Sequence, residues 1–397
     1  MSAVLFRSWT KTAGTHWPAV TRVADQQGTE HLVVTEHALV RQVLTDQVTY
    51  RPDNALDAVT PIPVAALRVL AGHRFRLPPT LANNGGVSHP AIRALVADAL
   101  HPAKVAAQRP WLTELVAERV AAIRATLDSG GSADLHAELS ADLPLLVLAR
   151  LVELPDAPVS AVKQFARAAL ELFWAPLDAD RQLALADEVG RFHQVLREFA
   201  DTGGGLAAAL RATGHPPDVL VGALFFLLVA GQETTSQFLT LLLHRLAGEP
   251  TVRAALRDGS VSVPNVVEEG LRLEPPIVTW RRVAAVDSTL GGTAVPAGTS
   301  VLLWLARAGR DPAIVSAPDE FRPGQRGSRR HLAFGAGAHR CLGDQLARME
   351  AAVVVEQVSP LLDGVTVVRA PWYPDNLTFR MPDAFVIRRG PAGVAER

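Results

Sequence analysis

One segment constrains the fold of this chain more than any other. "DVLVGALFFLLVAGQETTSQFLTLLLHRL" runs from Asp218 to Leu246. Two prolines stand just before it, Asp218 suits an N-cap, and Gly248 and Pro250 close it. At the rise of an α-helix it would be about 40 Å long, enough to cross a domain. Its longest apolar run, Val219 to Gly231, is thirteen residues, against the ~20 needed to span a bilayer. Apolar almost all round in its first half, it is expected to be a buried core helix. Its centre nevertheless reads "AGQETT" (Ala230 to Thr235). A Gly, an acid and two Thr in the middle of a buried helix form a local conflict that needs a reason.

The rest of the chain is patterned around such a helix. Helical spacing is expected at His37–Asp46, His89–Leu100, Trp111–Leu127, Leu135–Leu151, Pro158–Phe173 and Asp180–Phe199. "HLVVTEH" (His31 to His37) reads as a strand, and "STLGGTAVPAGTSVLL" (Ser288 to Leu303) as hairpin chemistry. Asp57 to Gly86, rich in Pro and Gly, is expected to be partly irregular, and "TGGGLAAALRATGHPP" (Thr202 to Pro217) is the most loop-like stretch. Short strands are expected from Val365 onward. No linker divides the chain, so residues 1–397 are expected to form one domain, mainly α with a minor β portion.

Composition narrows the function classes. The chain has 397 residues, 48% of them hydrophobic, and a formal net charge of −1. Neither nucleic acid nor an anionic membrane is indicated as a partner. A single Cys forbids an internal disulfide and fits a reducing, cytoplasmic setting. The first residues lack the unbroken apolar core of a signal peptide. Only three of the 39 basic residues are Lys, a bias typical of a GC-rich bacterial genome.

That single Cys, Cys341, sits in "HLAFGAGAHRCLGDQ" (His331 to Gln345). Four roles are open to it. It can be a small buried hydrophobe. It can be a nucleophile with His339 as base, two residues away. It can be a metal ligand with His331 and His339, although zinc and copper sites want further ligands at short spacing. It can be the axial thiolate of a haem. The glycines favour the last. Gly335 and Gly337 permit a tight turn before the Cys. Gly343 lets backbone approach a flat ligand, and a helix starting there would temper a thiolate with its free N–H groups.

"FGAGAHRCLG" (Phe334 to Gly343) resembles the haem-binding signature of the cytochrome P-450 family, Phe-x-x-Gly-x-x-x-Cys-x-Gly, through Phe334, Gly337, Cys341 and Gly343. "AGQETT" resembles the family's oxygen-activation motif. "EEGLR" matches its Glu-x-x-Arg through Glu269 and Arg272, and "DEFRP" its third partner through Arg322. The resemblance implies a triangular helical prism with small sheets. It implies haem b ligated by iron to Cys341 and flanked by Phe334, Gly335, Gly343 and Ala230. The haem propionates would be held by His89, Arg93, Arg282 and His339, with His331 as a weaker candidate and Arg281 as the neighbour against which Arg282 must be checked. Glu233 and Thr234 would be the catalytic, proton-delivering pair. Glu269, Arg272 and Arg322 would be structural.

The activity so implied is monooxygenation by O2 and two electrons, in bacterial secondary or antibiotic metabolism. The substrate would be a hydrophobic small molecule, free or tethered to a carrier protein. The pocket would draw on Phe226, Val229, Ile277, Val278, Thr279 and Met381. A ferredoxin and its reductase would donate electrons to a monomeric enzyme, docking on a basic patch that includes Arg340 and Arg348. Gly309 stands where many relatives carry Asn. Three alternatives remain at this stage: coupling, C–C cleavage or peroxide-driven chemistry on the same haem; a haem-less carrier-protein recruitment module; and a Cys341–His339 hydrolase.

Overall fold

The computed structural model describes residues 17–24, 28–79, 81–154 and 159–390. Residues 1–16 of the opening segment lie outside the described residues, as does Pro158, the expected start of one helix.

The central segment is not one helix but two, Pro217–Ala230 and Glu233–Ala247, meeting at Gly231 and Gln232. Gly231 sits so close to the preceding turn that a Cβ there would lie 2.6 Å from the Leu227 carbonyl and 3.1 Å from Leu148. No larger residue fits, and the conflict inside "AGQETT" resolves as a break. The N-cap is Pro216, not Asp218. Asp218 lies in the first turn and accepts from Arg197 Nη1 at 2.8 Å. By length and composition Pro217–Ala247 could cross a membrane, but 72% of its most apolar window is buried inside the protein. It is the core helix pair.

Other helices wrap this pair. Val159–Trp174 and Ala179–Thr202 pack over Pro217–Ala230, the second capped by Asp178, which accepts from the Arg181 N–H at 2.8 Å. The stretch expected to be loop holds a short helix, Gly205–Arg211, because Leu206, Ala207 and Leu210 bury one apolar face despite three flanking glycines. The expected helix over 135–151 is split into a π turn, His136–Ser140, and a helix, Leu143–Val152. Pro144 explains the restart: lacking an N–H, it belongs in a first turn. Val64–Gly72 is helical within the irregular Asp57 to Gly86 stretch.

The β portion is small. Strands β1 (Val20–Ala24), β2 (Glu30–Val34), β3 (Tyr50–Arg51), β4 (Ser132–Asp134), β5 (Thr279–Ala284), β6 (Ser288–Leu290), β7 (Thr293–Val295), β8 (Ser300–Trp304), β9 (Val365–Arg369) and β10 (Val386–Arg389) form three sheets among the described residues. The largest runs β1-β2-β8-β5-β3, with β2 and β8 parallel. Gly291 and Gly292 turn β6 into β7 with φ of +54° and +78°, the two positive values that such a tight hairpin demands. About 53% of the chain is helical, as the pattern required.

A buried ion pair ties the second half together. Glu269 and Arg272 are fully buried and joined by two hydrogen bonds of 2.8 Å. The remaining Arg272 donors reach the carbonyls of Gly309, Pro318 and Glu320 at 3.1, 2.7 and 2.9 Å. Gly309 is required here, because a Cβ would stand 2.6 Å from the Arg272 carbonyl. The third partner is not the Arg322 side chain, which is exposed and bonded to Glu320. Glu269 instead accepts from the Arg322 backbone N–H at 2.9 Å and from the Gln325 side chain at 2.7 Å.

The helix Asp344–Val358 carries a second buried acid. Glu350 is 1% exposed and neither of its oxygens has a partner among the described residues. Burial pushes its carboxyl up to about 8, against about 4.3 in an unfolded chain. The folded state therefore binds the proton more tightly, and its contribution to stability is full below the unfolded value and lost as pH rises through the folded one. Replacing Glu350→Gln is expected to raise the melting temperature relative to the parent more at pH 8 than at pH 5. Equal shifts at the two pH values would contradict this assignment.

Candidate active site

The Cys loop is built by its backbone. The Cys341 N–H donates to the Phe334 carbonyl at 2.9 Å, closing a turn in which Gly335 and Gly337 take φ of +66° and +71°. At Gly337 a Cβ would also meet the Leu44 carbonyl at 2.6 Å. Gly343 ends the loop as the N-cap of Asp344–Val358.

That sulfur is open to a cavity yet lies deep in the protein. Burial pushes the thiol up to about 11, more than Gly343 N–H and the nearby Arg93 can offset. His339 is no base for it. Its Nε2 is engaged with the Asn84 carbonyl at 3.0 Å, and its ring stacks on His89 with centroids 4.2 Å apart. Burial, and the field of His89 with it, holds His339 down at about 4. The hydrolase reading falls on this geometry. Among the described residues no cluster of three His, Cys, Asp or Glu could hold a metal, so a metal on Cys341 must bring its other ligands with it, as a haem does.

The cavity lies between this loop and the break at Gly231. It is one continuous space, lined by Cys341 and Phe334 on the loop side and by Ala230 and Thr234 on the helix side. The lining is basic, with Arg93 and Arg282, the neutral His339 beside them, and no Asp or Glu. Arg282 is 2% exposed, its Nε lacks a partner among the described residues, and Nη1 reaches only the Arg281 carbonyl, at 2.8 Å. Burial alone pulls it down to about 10. Arg93 donates to the Arg340 carbonyl at 2.6 Å, and His339 Nδ1 is buried and unpartnered among the described residues. The unmatched Arg282 guanidinium, with Arg93 near it, calls for an anion, and His339 Nδ1 could donate to one only after taking up a proton. The two carboxylates of haem b meet that need, beside a thiol that needs a cation. The residues fit the cofactor.

Most of the sequence-expected residues converge here, and several do not. Cys341, Phe334, Gly335, Gly343, Ala230, Arg93, Arg282, His339 and Thr234 line the cavity. Arg281 turns away and donates to the carbonyls of Ala55 and Asp57, so Arg282 is the residue in register. His89 stands behind His339 instead of on the wall. His331 is structural: its Nε2 meets Glu268 at 3.1 Å and its Nδ1 accepts from the Ala333 N–H at 3.2 Å. Phe226, Val229 and Ile277 face the cavity, whereas Val278, Thr279 and Met381 do not. Thr279 Oγ1 donates to the Leu377 carbonyl at 2.6 Å, and Met381 is buried elsewhere in the core. Strand alternation back from Arg282 would have found Trp280, which does line it.

The acid–threonine pair opens the second helix and is divided between two of its faces. Thr234 faces the main cavity and back-bonds to the Ala230 carbonyl at 2.8 Å. Glu233 is buried on the other side and ion-paired with Lys163, which also donates to Gln232 at 2.7 Å. It borders a second, polar cavity with His136, Arg167 and Gln237. Neither side-chain polar atom of buried Gln237 has a partner among the described residues, which suits a wet chamber.

Beneath the loop, burial alone would raise Glu268, but hydrogen bonds from His331 and Arg348 hold it at about 2. Arg348 donates to Glu268 at 2.6 Å and to Asp344 at 2.9 Å, and lies over the Phe334 ring at 4.5 Å. It is an internal clamp, not a free docking charge. Arg340, also bonded to Asp344, is half exposed.

The sequence model described as Cytochrome P450 matches residues 216–358. The cytochrome P450 monooxygenase PikC of Streptomyces venezuelae is 34% identical over 304 residues, 73% of this chain and 71% of that protein. The cyclomarin C epoxidase CymV of Salinispora arenicola is 31% identical over 295 residues, covering 71% and 73%. The solved structure of cytochrome P450 CREJ in complex with (4-ethylphenyl) dihydrogen phosphate superposes with a TM-score of 0.88 at 26% identity, over 97% of both chains.

Arg282 offers a test with two opposed readouts. Arg282→Met is expected to raise the melting temperature of the haem-free protein, by removing an uncompensated buried charge. The same change should weaken haem retention at least ten-fold, by removing a charge-assisted bond worth about 1.5–3 kcal/mol. Losses in both, or in neither, would contradict an anion-holding role.

Proposed function

From the premise that this chain belongs to the cytochrome P450 family, and is a monooxygenase with haem b as its cofactor, we propose that it oxidises a hydrophobic small molecule. The reaction is hydroxylation or epoxidation, with electrons from a separate ferredoxin-type donor. The observation that carries this reading is the cavity itself. A lone thiol stands on one side, Thr234 at a helix break on the other, and the space between is mostly apolar.

Bound haem supplies the one-electron and dioxygen chemistry, and thiolate ligation favours O–O cleavage. The protein's share is positioning, shielding and proton handling. Cys341 is held by its own loop, and the Gly343 N–H and the helix start beyond it draw off part of the thiolate's charge. Arg93 and Arg282, with His339 beside them, would hold the cofactor by its carboxylates. The Thr234 hydroxyl, parked on the Ala230 carbonyl, can turn to hold a proton or a water in the cavity. Glu233 takes protons from the polar chamber and passes them to the Thr234 side of the helix start. Its ion pair with Lys163 must loosen for that to happen. Intact Cys341 and Thr234 argue against a recruitment module, and Thr234 favours oxygen activation over coupling or peroxide-driven chemistry.

Exposed Arg326, Arg329, Arg330 and Arg340 lie close in sequence to Cys341 and suit an acidic electron donor. PikC and CymV, a monooxygenase and an epoxidase by name, support a place in bacterial secondary metabolism.

The test is turnover under isotopically labelled dioxygen with a ferredoxin and its reductase. One labelled oxygen atom per product molecule is expected, with electron consumption matched to product. Thr234→Ala should divert most electrons to peroxide, and Glu233→Gln should slow turnover by about a hundred-fold or more. Product oxygen drawn from water would overturn the reading.

A further inference from the structure

The cavity lining carries two chemically distinct sets of side chains. The basic set is Arg93, Arg282, Arg340 and His339. His339 lies within the electrostatic reach of both Arg282 and Arg93, and Arg93 bonds the Arg340 carbonyl, so these groups are one cluster.

The other set is aromatic: Trp174, Phe226, Phe238, Trp280, Phe334 and Phe379. They come from separate elements, among them the end of one helix, both halves of the core helix pair, strand β5, the Cys loop and the segment before β10. Trp174 and Phe379 meet edge to face, 5.1 Å between centroids at 78°. Phe379 bridges to Ile277, and the Leu377 N–H donates to the Trp174 carbonyl at 2.8 Å. Aromatic residues are only 6% of the whole chain, so six on one lining is a concentration. Besides the basic set and Cys341, the polar side chains of the lining are Thr234 and Thr235, and no carboxylate faces the cavity.

Resting on the reading above, we infer that the substrate is a neutral molecule carrying an aromatic ring, and that Trp280 and Phe379 select it. A cationic substrate would find no counter-charge and would pay its desolvation in full. An anionic one would have to compete with the cofactor's carboxylates for the arginines. A neutral ring meets edges and faces that each add roughly two- to ten-fold in affinity. Trp280 stands two residues before Arg282 on the same face of β5, so the aromatic and basic sets adjoin there.

The test is a spectral titration of the haem-loaded protein, reading the Soret shift as substrate displaces water. Four probes share one chain length: a phenylalkanol, the matching phenylalkanoate, the phenylalkylammonium and a straight-chain alkanol. The phenylalkanol is expected to bind at least ten-fold tighter than each of the other three. Trp280→Leu and Phe379→Leu, made separately, should each shrink its advantage over the alkanol several-fold, in samples whose haem content is measured alongside. A charged probe binding as tightly, an alkanol as tight as the phenylalkanol, or a ratio unmoved in both variants would overturn the inference while leaving the monooxygenase intact. A parent protein that takes up no haem would overturn the underlying reading instead.

Discussion

A thiol pushed to about 11 by burial does not ionise at neutral pH unless a cation sits against it. Buried Arg282 and half-buried Arg93, facing the same cavity, do not stay comfortably charged unless anions sit against them. These two deficits have opposite sign and share one space. Haem b would answer both at once, with iron for the sulfur and carboxylates for the arginines. The protein is thus built around a charge pattern that is incomplete without its cofactor, and holo-protein stability and cofactor affinity are two sides of one balance.

Holding that pattern requires a rigid floor. The Glu269–Arg272 pair reaches four backbone groups, one at Gly309 and three between Pro318 and Arg322, and one glutamine, and so fixes the chain leading to the Cys loop. Glu268, its sequence neighbour, grips both His331 before the loop and Arg348 after it. Two adjacent carboxylates on one helix therefore anchor both the approach to the loop and the helix that leaves it. Buried ion pairs are rarely a net source of stability, but losing one partner is costly. Their value here is the position they impose on Cys341 and Phe334.

What could be read ahead of the structure was whatever depends on local backbone chemistry. The loop of Phe334 to Gly343 was legible because its glycines serve turns that few other residues make, and its helix follows at once. The position of Arg282 against Arg281 was a matter of strand alternation, settled by which side of β5 meets the cavity. Long-range partners were not legible. Gln325 replaces the Arg322 side chain because the loop returns to Glu269 with its backbone. Glu233 and Thr234 were expected to act side by side, but neighbours on a helix point about 100° apart. One faces the main cavity and the other the polar chamber, and the break just before them leaves both at the start of the second helix. His89 and His339 were expected to act separately, whereas only the fold shows that they stack.

The central claim is that Cys341 is the haem ligand, and it is tested by one spectrum. The purified, haem-loaded protein is reduced under carbon monoxide and its Soret band recorded. The account predicts the strongly red-shifted band of thiolate-ligated haem in the parent and its loss in Cys341→Ser. A parent protein without that band, or a Cys341→Ser variant that retains it, would contradict the account.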